Sequence, residues 1–109
     1  MVDPYWFKEV AGGFRLGLSP EFVETVKGDW VGLELAAVGT RVRSGESFGF
    51  ITTDRAAHDL RATRDFFVRV VNSRCLANPA LAQLSPLSEG WLMEVEFFAQ
   101  KVKERSQLD

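Results

Sequence analysis

The side chains that most often carry out acid–base or nucleophilic chemistry are few in this chain and are scattered. His58 is the single histidine and Cys75 the single cysteine among 109 residues. A Cys–His catalytic pair must come within about 3 Å, and no spacing here brings these two together. Glu94 and Glu96 have the alternate spacing of one strand face, which is typical of the solvated side of an edge strand. We therefore predict that the protein is not an enzyme, and one histidine with one cysteine predicts no metal site.

Arginines are concentrated in the middle of the chain, although the whole chain has a formal net charge of −2. Residues 41–74 contain four acidic residues and seven arginines, which are Arg41, Arg43, Arg55, Arg61, Arg64, Arg69 and Arg74. Guanidinium groups that lie together can bind carboxylates or phosphates through paired hydrogen bonds. Arginines dispersed over a solvated β-surface are the competing interpretation. The negative total charge argues against binding to nucleic acid or to a membrane surface.

The composition is that of one folded domain covering residues 1–109. Hydrophobic residues make up 46% of the chain and charged residues 26%, as in ordinary globular proteins. No apolar stretch is long enough to span a bilayer. The first residues lack the charge pattern of a signal peptide, and Cys75 has no partner for a disulfide. These features predict a cytoplasmic protein.

Short β-prone runs separated by turns dominate the chain and predict a mainly β fold. We predict strands at residues 5–10, 14–18, 30–35, 41–43, 47–53, 58–62, 66–71 and 90–97. A core of about residues 5–97 built from such short strands is typical of a small antiparallel barrel or sandwich. The tightest turn, at residues 54–57, joins two of these strands into a hairpin.

Helix signals occur at residues 19–28 and again near the end of the chain. Ser19 has the side chain of an N-cap, Pro20 suits the first helical position, and Gly28 follows the last turn. We expect Phe22, Val23 and Val26 to form the buried side of this helix. Residues 72–88 contain two Pro-based turn signals and predict a loop with at most one helical turn. Residues 98–107 have the composition of a polar C-terminal helix.

Several short motifs occur in an order that is similar to one known family. They are G-D at 28–29, V-G-T-R-V at 38–42, S-G-E-S-F-G at 44–49, A-A-H-D-L at 56–60, N-P-A-L at 78–81 and E-G-W-L at 89–92. Over residues 5–97 this order resembles the H-protein of the glycine cleavage system, a lipoyl carrier. The resemblance implies the lipoyl/biotinyl-type flattened β-barrel, also called the barrel-sandwich hybrid. It also implies that a cofactor-bearing lysine belongs at the tip of a hairpin.

The modified lysine of that family is replaced by Arg55 in this chain. The family motif E-S-V-K-A corresponds to T-T-D-R-A at 52–56. A lysine amine must lose a proton before it attacks an activated acyl group, whereas a guanidinium is a far stronger base, so it stays protonated and its lone pairs are delocalised. We therefore expect no lipoate and no other cofactor. We expect the hairpin to bind a partner protein instead, through Thr52, Asp54, Arg55, His58 and Asp59.

By the resemblance, the partner would be a glycine cleavage enzyme or a lipoate-handling enzyme. Two alternatives stay open. The chain could be a true lipoyl or aminomethyl carrier that is modified on another lysine, such as Lys8 or Lys27, since Lys101 and Lys103 are the only others and none lies in the hairpin. It could also be a binder that holds an anionic ligand through its arginines. The sequence predicts no oligomeric state.

Overall fold

A computed structural model describes residues 3–98, which fold into two antiparallel β-sheets and three short helices. The elements in chain order are β1 (Tyr5–Val10), β2 (Gly13–Leu18), α1 (Pro20–Thr25), β3 (Trp30–Leu35), β4 (Arg41–Val42), β5 (Ser47–Thr53), β6 (Ala57–Arg61), β7 (Phe66–Val71), α2 (Ser73–Ala77), α3 (Ala80–Leu84) and β8 (Met93–Phe97). One sheet has the strand order β1-β2-β8-β7-β4 and the other the order β3-β5-β6. Within the described residues, strand pairing does not join the two sheets into a closed cylinder. This is the flattened barrel-sandwich arrangement, so the predicted fold class is confirmed.

The hydrophobic core lies between the two sheets, and Phe48 connects them. Phe48 comes from β5 of the three-stranded sheet and is 1% exposed. Its ring makes edge contacts with Tyr5 of β1 and Phe66 of β7, at centroid distances of 5.4 and 5.5 Å. Edge-to-face packing is the favoured geometry for aromatic pairs. The contacts hold the β5–β6 hairpin firmly against the larger sheet.

Helix α1 begins as the sequence predicts and ends earlier. The Ser19 hydroxyl accepts a hydrogen bond of 3.2 Å from the Phe22 amide, as an N-cap does. The helix stops at Thr25 because Val26 has an extended backbone, and the Val26 carbonyl accepts from Nε1 of Trp30 at 3.2 Å. Val26 is buried as expected, whereas Phe22 and Val23 are only half-buried.

The segment 72–88 contains two helices, α2 and α3, so the prediction of a loop with at most one turn was wrong. Asn72 begins α2 by accepting the Arg74 amide on its side chain at 3.1 Å. The last strand begins at Met93 rather than at Gly90, because Gly90 packs directly against the backbone of α3.

Strand β8 lies between β2 and β7, so the interpretation of Glu94 and Glu96 as the face of an edge strand was also wrong. Glu94 pairs with Arg15 across the strands at 2.8 Å. Short local patterns do not reveal strand order, because order depends on contacts between distant parts of the chain.

The predicted C-terminal helix at 98–107 lies outside the described residues apart from Phe98. In the part of the chain that the structure describes, no helix is both long and apolar enough to cross a membrane.

Candidate functional site

The tip of the β5–β6 hairpin is a tight turn closed by Thr53. Its amide donates to the Ala56 carbonyl at 2.8 Å. Its hydroxyl accepts from the amides of Arg55 and Ala56 at 3.0 and 3.1 Å. Thr53 is 5% exposed, and its side-chain bonds to the turn are partly buried. The turn therefore has one defined conformation, with Asp54 and Arg55 exposed at its outer end.

Asp54 fastens the tip to the turn that precedes β3. The Asp54 amide donates to the Asp29 carbonyl at 3.1 Å, and the Asp29 amide donates to Oδ1 of Asp54 at 3.0 Å. Gln83 of α3 supports the same turn, because its Nε2 donates to the Gly28 carbonyl at 3.2 Å. The tip consequently rests on a platform made of residues 28–29 and α3.

The aliphatic part of the Arg55 side chain lies along Gly28. A Cβ at Gly28 would lie 3.4 Å from Cγ and Cδ of Arg55 and would collide with Oδ1 of Asp54. Gly28 also has a φ of +102°, which L side chains rarely adopt. Among residues 3–98, Arg55 takes part in no salt bridge. Arg55 is exposed at the surface, and the aliphatic part of its side chain rests against Gly28.

The structure places the other predicted site residues along the same hairpin at different distances from the tip. Thr52 pairs with Ala57 directly below the turn and is half-buried. His58 pairs with Ile51, and Asp59 lies farther along β6, where it forms a 3.0 Å salt bridge with Arg61. The tip itself therefore combines Asp54 and Arg55, with Thr52 beside them, and Asp59 is engaged elsewhere.

Sequence reasoning missed the contribution of Gly28, Asp29 and Gln83 to the tip. The G-D pair at 28–29 is visible in the sequence as a turn signal. Its contact with a turn 25 positions later is not a local property.

The arginines of residues 41–74 do not form one cluster. The guanidinium of Arg41 lies over the Phe98 ring at 4.4 Å, and that of Arg64 lies over the Phe97 ring at 3.6 Å. Arg61 bonds to Asp59 and to the Gly45 carbonyl. These side chains cover apolar surface or pair locally on separate elements, as solvated arginines commonly do.

Cys75 is a packed residue of α2. It is 0% exposed, its sulfur accepts from Nδ2 of Asn72 at 3.4 Å, and its thiol contacts the Trp91 carbonyl at 3.3 Å. Burial raises the pKa of the Cys75 thiol to about 11, which disfavours the thiolate that a nucleophile needs. Across residues 3–98, no group of three or more histidine, cysteine or acidic side chains is arranged to hold a metal ion.

Comparison with known proteins gives a consistent result. The family model described as glycine cleavage H-protein matches residues 2–109. A glycine cleavage system H protein of Mycolicibacterium vanbaalenii is 34% identical over 92 residues, which cover 84% of this chain and 70% of that protein. One from Carboxydothermus hydrogenoformans is 34% identical over 91 residues, or 84% and 69% of the two chains. The crystal structure of a glycine cleavage system H protein from Mycobacterium marinum aligns with a TM-score of 0.75 and 25% identity, covering 98% of this chain and 94% of that one. The predicted resemblance is confirmed: this chain belongs to the glycine cleavage H-protein family.

Proposed function

We propose that this chain is an H-protein relative that carries no lipoate and acts by docking a partner protein through the tip of the β5–β6 hairpin. In this proposal it is not an enzyme, and it works in the cytoplasm. The observation that carries the proposal is the position of Arg55, which is exposed at the outer end of a turn that Thr53 and Asp54 hold in place. Arg55 replaces the lysine that the family motif has at this point.

The residues of the tip do not fit the attachment of lipoate. The amide bond to lipoate forms from an uncharged amine, and a guanidinium, whose lone pairs are delocalised, is a poor nucleophile. Neighbouring positions differ from the family motif as well, because Thr52 stands for its glutamate and Asp54 for its valine. We therefore assign no acyl-transfer step to this protein.

The same residues fit a docking role. Arginine is enriched among the residues that dominate protein interfaces, and a side chain whose stem already packs against Gly28 has less conformational entropy to lose on binding. Its planar guanidinium suits a carboxylate on the partner. Family membership points to a glycine cleavage enzyme or a lipoate-handling enzyme as that partner.

Two measurements test the proposal. Intact-mass spectrometry of the protein purified from its native cell should give the unmodified mass, and a lipoyl adduct would overturn the claim that the chain carries no lipoate. Titration calorimetry against the purified glycine cleavage and lipoate-handling enzymes of the same cell should detect binding by at least one of them. The Arg55→Ala variant should bind at least about tenfold more weakly, as for loss of a charge-assisted contact.

Arg43 provides a matched control because it is also exposed and lies before β5, at the end of that strand opposite to the tip. Arg43→Ala should leave the affinity unchanged. Absence of binding to every one of these enzymes, or equal losses in the two variants, would reject docking through the tip.

A second candidate function is a carrier that is modified at Lys27. Lys27 is exposed and directly precedes Gly28, which lies against the Arg55 side chain, so the Lys27 backbone lies near the tip. Peptide mapping of the native protein separates this alternative from the first. An adduct on Lys27 that disappears in Lys27→Arg, but persists in Lys8→Arg, would establish it.

A further inference from the structure

A recess of about 390 Å³ lies at the β1–β2 edge of the five-stranded sheet and is distinct from the hairpin tip. Its volume is within the range of small-molecule sites. The side chains that carry the argument are two tryptophans, three cations and one carboxylate: Trp6, Trp91, Lys8, Arg15, Arg74 and Glu89. They come from β1, from β2, from α2 and from the segment before β8. Nothing in the proposed docking role uses them.

Two of the cations are placed directly opposite each other. Lys8 and Arg15 are partners in the β1–β2 pairing. Like charges at such positions destabilise a sheet unless something offsets them. Glu94 offsets Arg15 through bonds of 3.2 and 2.8 Å to Nε and Nη2. Lys8, in contrast, forms no salt bridge within residues 3–98. A local conflict of this kind marks a candidate binding site.

The third cation is held loosely. Arg74 and Glu89 are 3.6 Å apart, with side chains 67% and 63% exposed. An exposed pair at that distance contributes little stability. Arg74 is therefore available to an anion in the recess. Counting Glu94 and Glu89 against the three cations leaves one positive charge without a counterpart.

The Trp6 ring is held in position, and the Trp91 ring packs beneath Arg15. Nε1 of Trp6 donates to the Pro86 carbonyl at 2.8 Å, and the ring lies so close across Gly17 that a Cβ there would collide with it. The Trp91 ring lies under the Arg15 guanidinium at 4.4 Å. Both tryptophans remain only partly buried. A recess with fixed, accessible aromatic surface beside unmatched positive charge is preorganised for a ligand that has both an apolar ring and a negative charge.

We propose that this recess binds a small molecule consisting of a flat ring with one anionic group. The ring packs on the tryptophan surface, and the anion lies between Lys8 and Arg74. A phosphate and a carboxylate both satisfy this chemistry, so the two sources are separated by using adenosine monophosphate and benzoate as probes.

Nuclear magnetic resonance of the indole N–H groups provides a site-specific test, because the chain has three tryptophans. Trp30 is buried in the core, with its Nε1 bonded to the Val26 carbonyl, and serves as the internal reference. At least one of the two probes should shift the signals of Trp6 and Trp91 saturably and leave that of Trp30 unchanged. If adenosine monophosphate binds, two partial probes should bind more weakly than it does. Adenosine has the ring without the anionic group, and inorganic phosphate has the anionic group without the ring. Benzyl alcohol and acetate serve the same purpose for benzoate.

Lys8→Gln and Arg74→Gln should each weaken the binding of the active probe by about three- to tenfold, as expected for loss of a partly exposed charged contact. Arg43→Gln is the matched control, since Arg43 is an exposed cation outside the recess, and it should change nothing. An unchanged Trp30 signal shows that each variant is folded. The proposal fails if neither probe shifts Trp6 and Trp91, if the uncharged rings bind equally well, or if the control weakens binding as much as the recess variants.

Discussion

Asp54 and Asp29 are joined twice, because each backbone amide donates to the other residue, one to a carbonyl at 3.1 Å and one to a carboxylate oxygen at 3.0 Å. The first bond uses only backbone atoms, and the second uses the Asp54 side chain. This arrangement connects the hairpin tip to the turn before β3. It explains how an exposed turn can present Arg55 in one position without covering it.

Replacing Asp54 by alanine should release the tip. Asp54→Ala removes the acceptor for the Asp29 amide, at a cost of about 1 kcal/mol in the free energy of unfolding. Hydrogen exchange should become faster at the Asp29 amide. Asp54→Asn keeps an acceptor oxygen and should retain most of the protection.

Asp59→Ala is the control for a lost surface charge on the same hairpin, because Asp59 pairs with Arg61 at an exposed site. It should cost only about 0–1 kcal/mol and should leave the Asp29 amide protected. An Asp29 amide that exchanges equally fast in the wild type and in Asp54→Ala would disprove the clamp.

Restoring the amine at position 55 should not by itself restore a lipoyl acceptor. Arg55→Lys, incubated with a lipoate ligase, should be modified weakly, because Thr52 and Asp54 still differ from the family motif and Asp54 is bonded to Asp29. Mass spectrometry measures the modified fraction. The wild type, which has no amine at this position, is the negative control, and a variant that also carries Thr52→Glu and Asp54→Val should be modified more. Efficient modification of Arg55→Lys alone would mean that only the amine has been lost.

Asn72 should be the most sensitive polar residue of the segment that follows β7. It is 4% exposed, and its Nδ2 donates to the carbonyls of Glu89 and Trp91 at 3.1 and 2.7 Å. Asn72→Ala leaves two partly buried carbonyls without this donor and should lower the free energy of unfolding by about 1–3 kcal/mol. Chemical denaturation measures the change.

Asn72→Asp distinguishes hydrogen bonding from packing, since it keeps the shape and removes the donors. It should destabilise at least as much as alanine. Asn78→Ala, at an exposed position after α2, should change stability by less than about 0.5 kcal/mol. A mild effect of Asn72→Asp would contradict the role given to the amide donors.

Cys75 should resist alkylation in the native protein. Burial raises its pKa to about 11, whereas a free cysteine has a pKa of about 8.5, so the folded state holds the proton more tightly than the unfolded state. The thiol's contribution to stability is therefore complete below about pH 8.5 and is lost as the pH rises towards 11. At pH 8, iodoacetamide should react at least about a hundredfold more slowly with the native than with the unfolded protein.

Urea-unfolded protein is the reference for that rate, and the native rate should increase as the pH is raised. Rapid alkylation of the folded protein at pH 8 would show that Cys75 is neither buried nor protonated as the structure has it. The pH dependence of stability above pH 8.5 should also be less steep in Cys75→Ala, which lacks the group.

The β5–β6 hairpin was predictable because its signals are local. β-Branched and apolar residues lead to Thr53, and a short polar turn follows, so strand and turn propensities agree over adjacent positions. The Ser19 cap of α1 was predictable for the same reason. The resemblance to the H-protein family then assigned the tip to Arg55, and family membership is confirmed.

Other features were not predictable because they depend on residues far apart in the chain. The bonds between Asp29 and Asp54 and the central place of β8 each join segments whose separation no local pattern encodes. The helices after Asn72 were missed because their Pro signals favour turns. Hydrogen bonds from the buried Asn72 side chain to carbonyls of the segment before β8 position this part of the chain.

The sequence by itself determined the identity of position 55 and hence its chemistry, since a guanidinium is protonated wherever the fold places it. It also determined the family and the alternation of strands and turns. Only the tertiary structure decided that Arg55 stands on a fixed platform and that Lys8 faces Arg15 beside two tryptophans. The physical reason is range: charge and local backbone preference belong to single residues and their neighbours, whereas the rigidity of a turn and the grouping of charges arise from packing between distant segments.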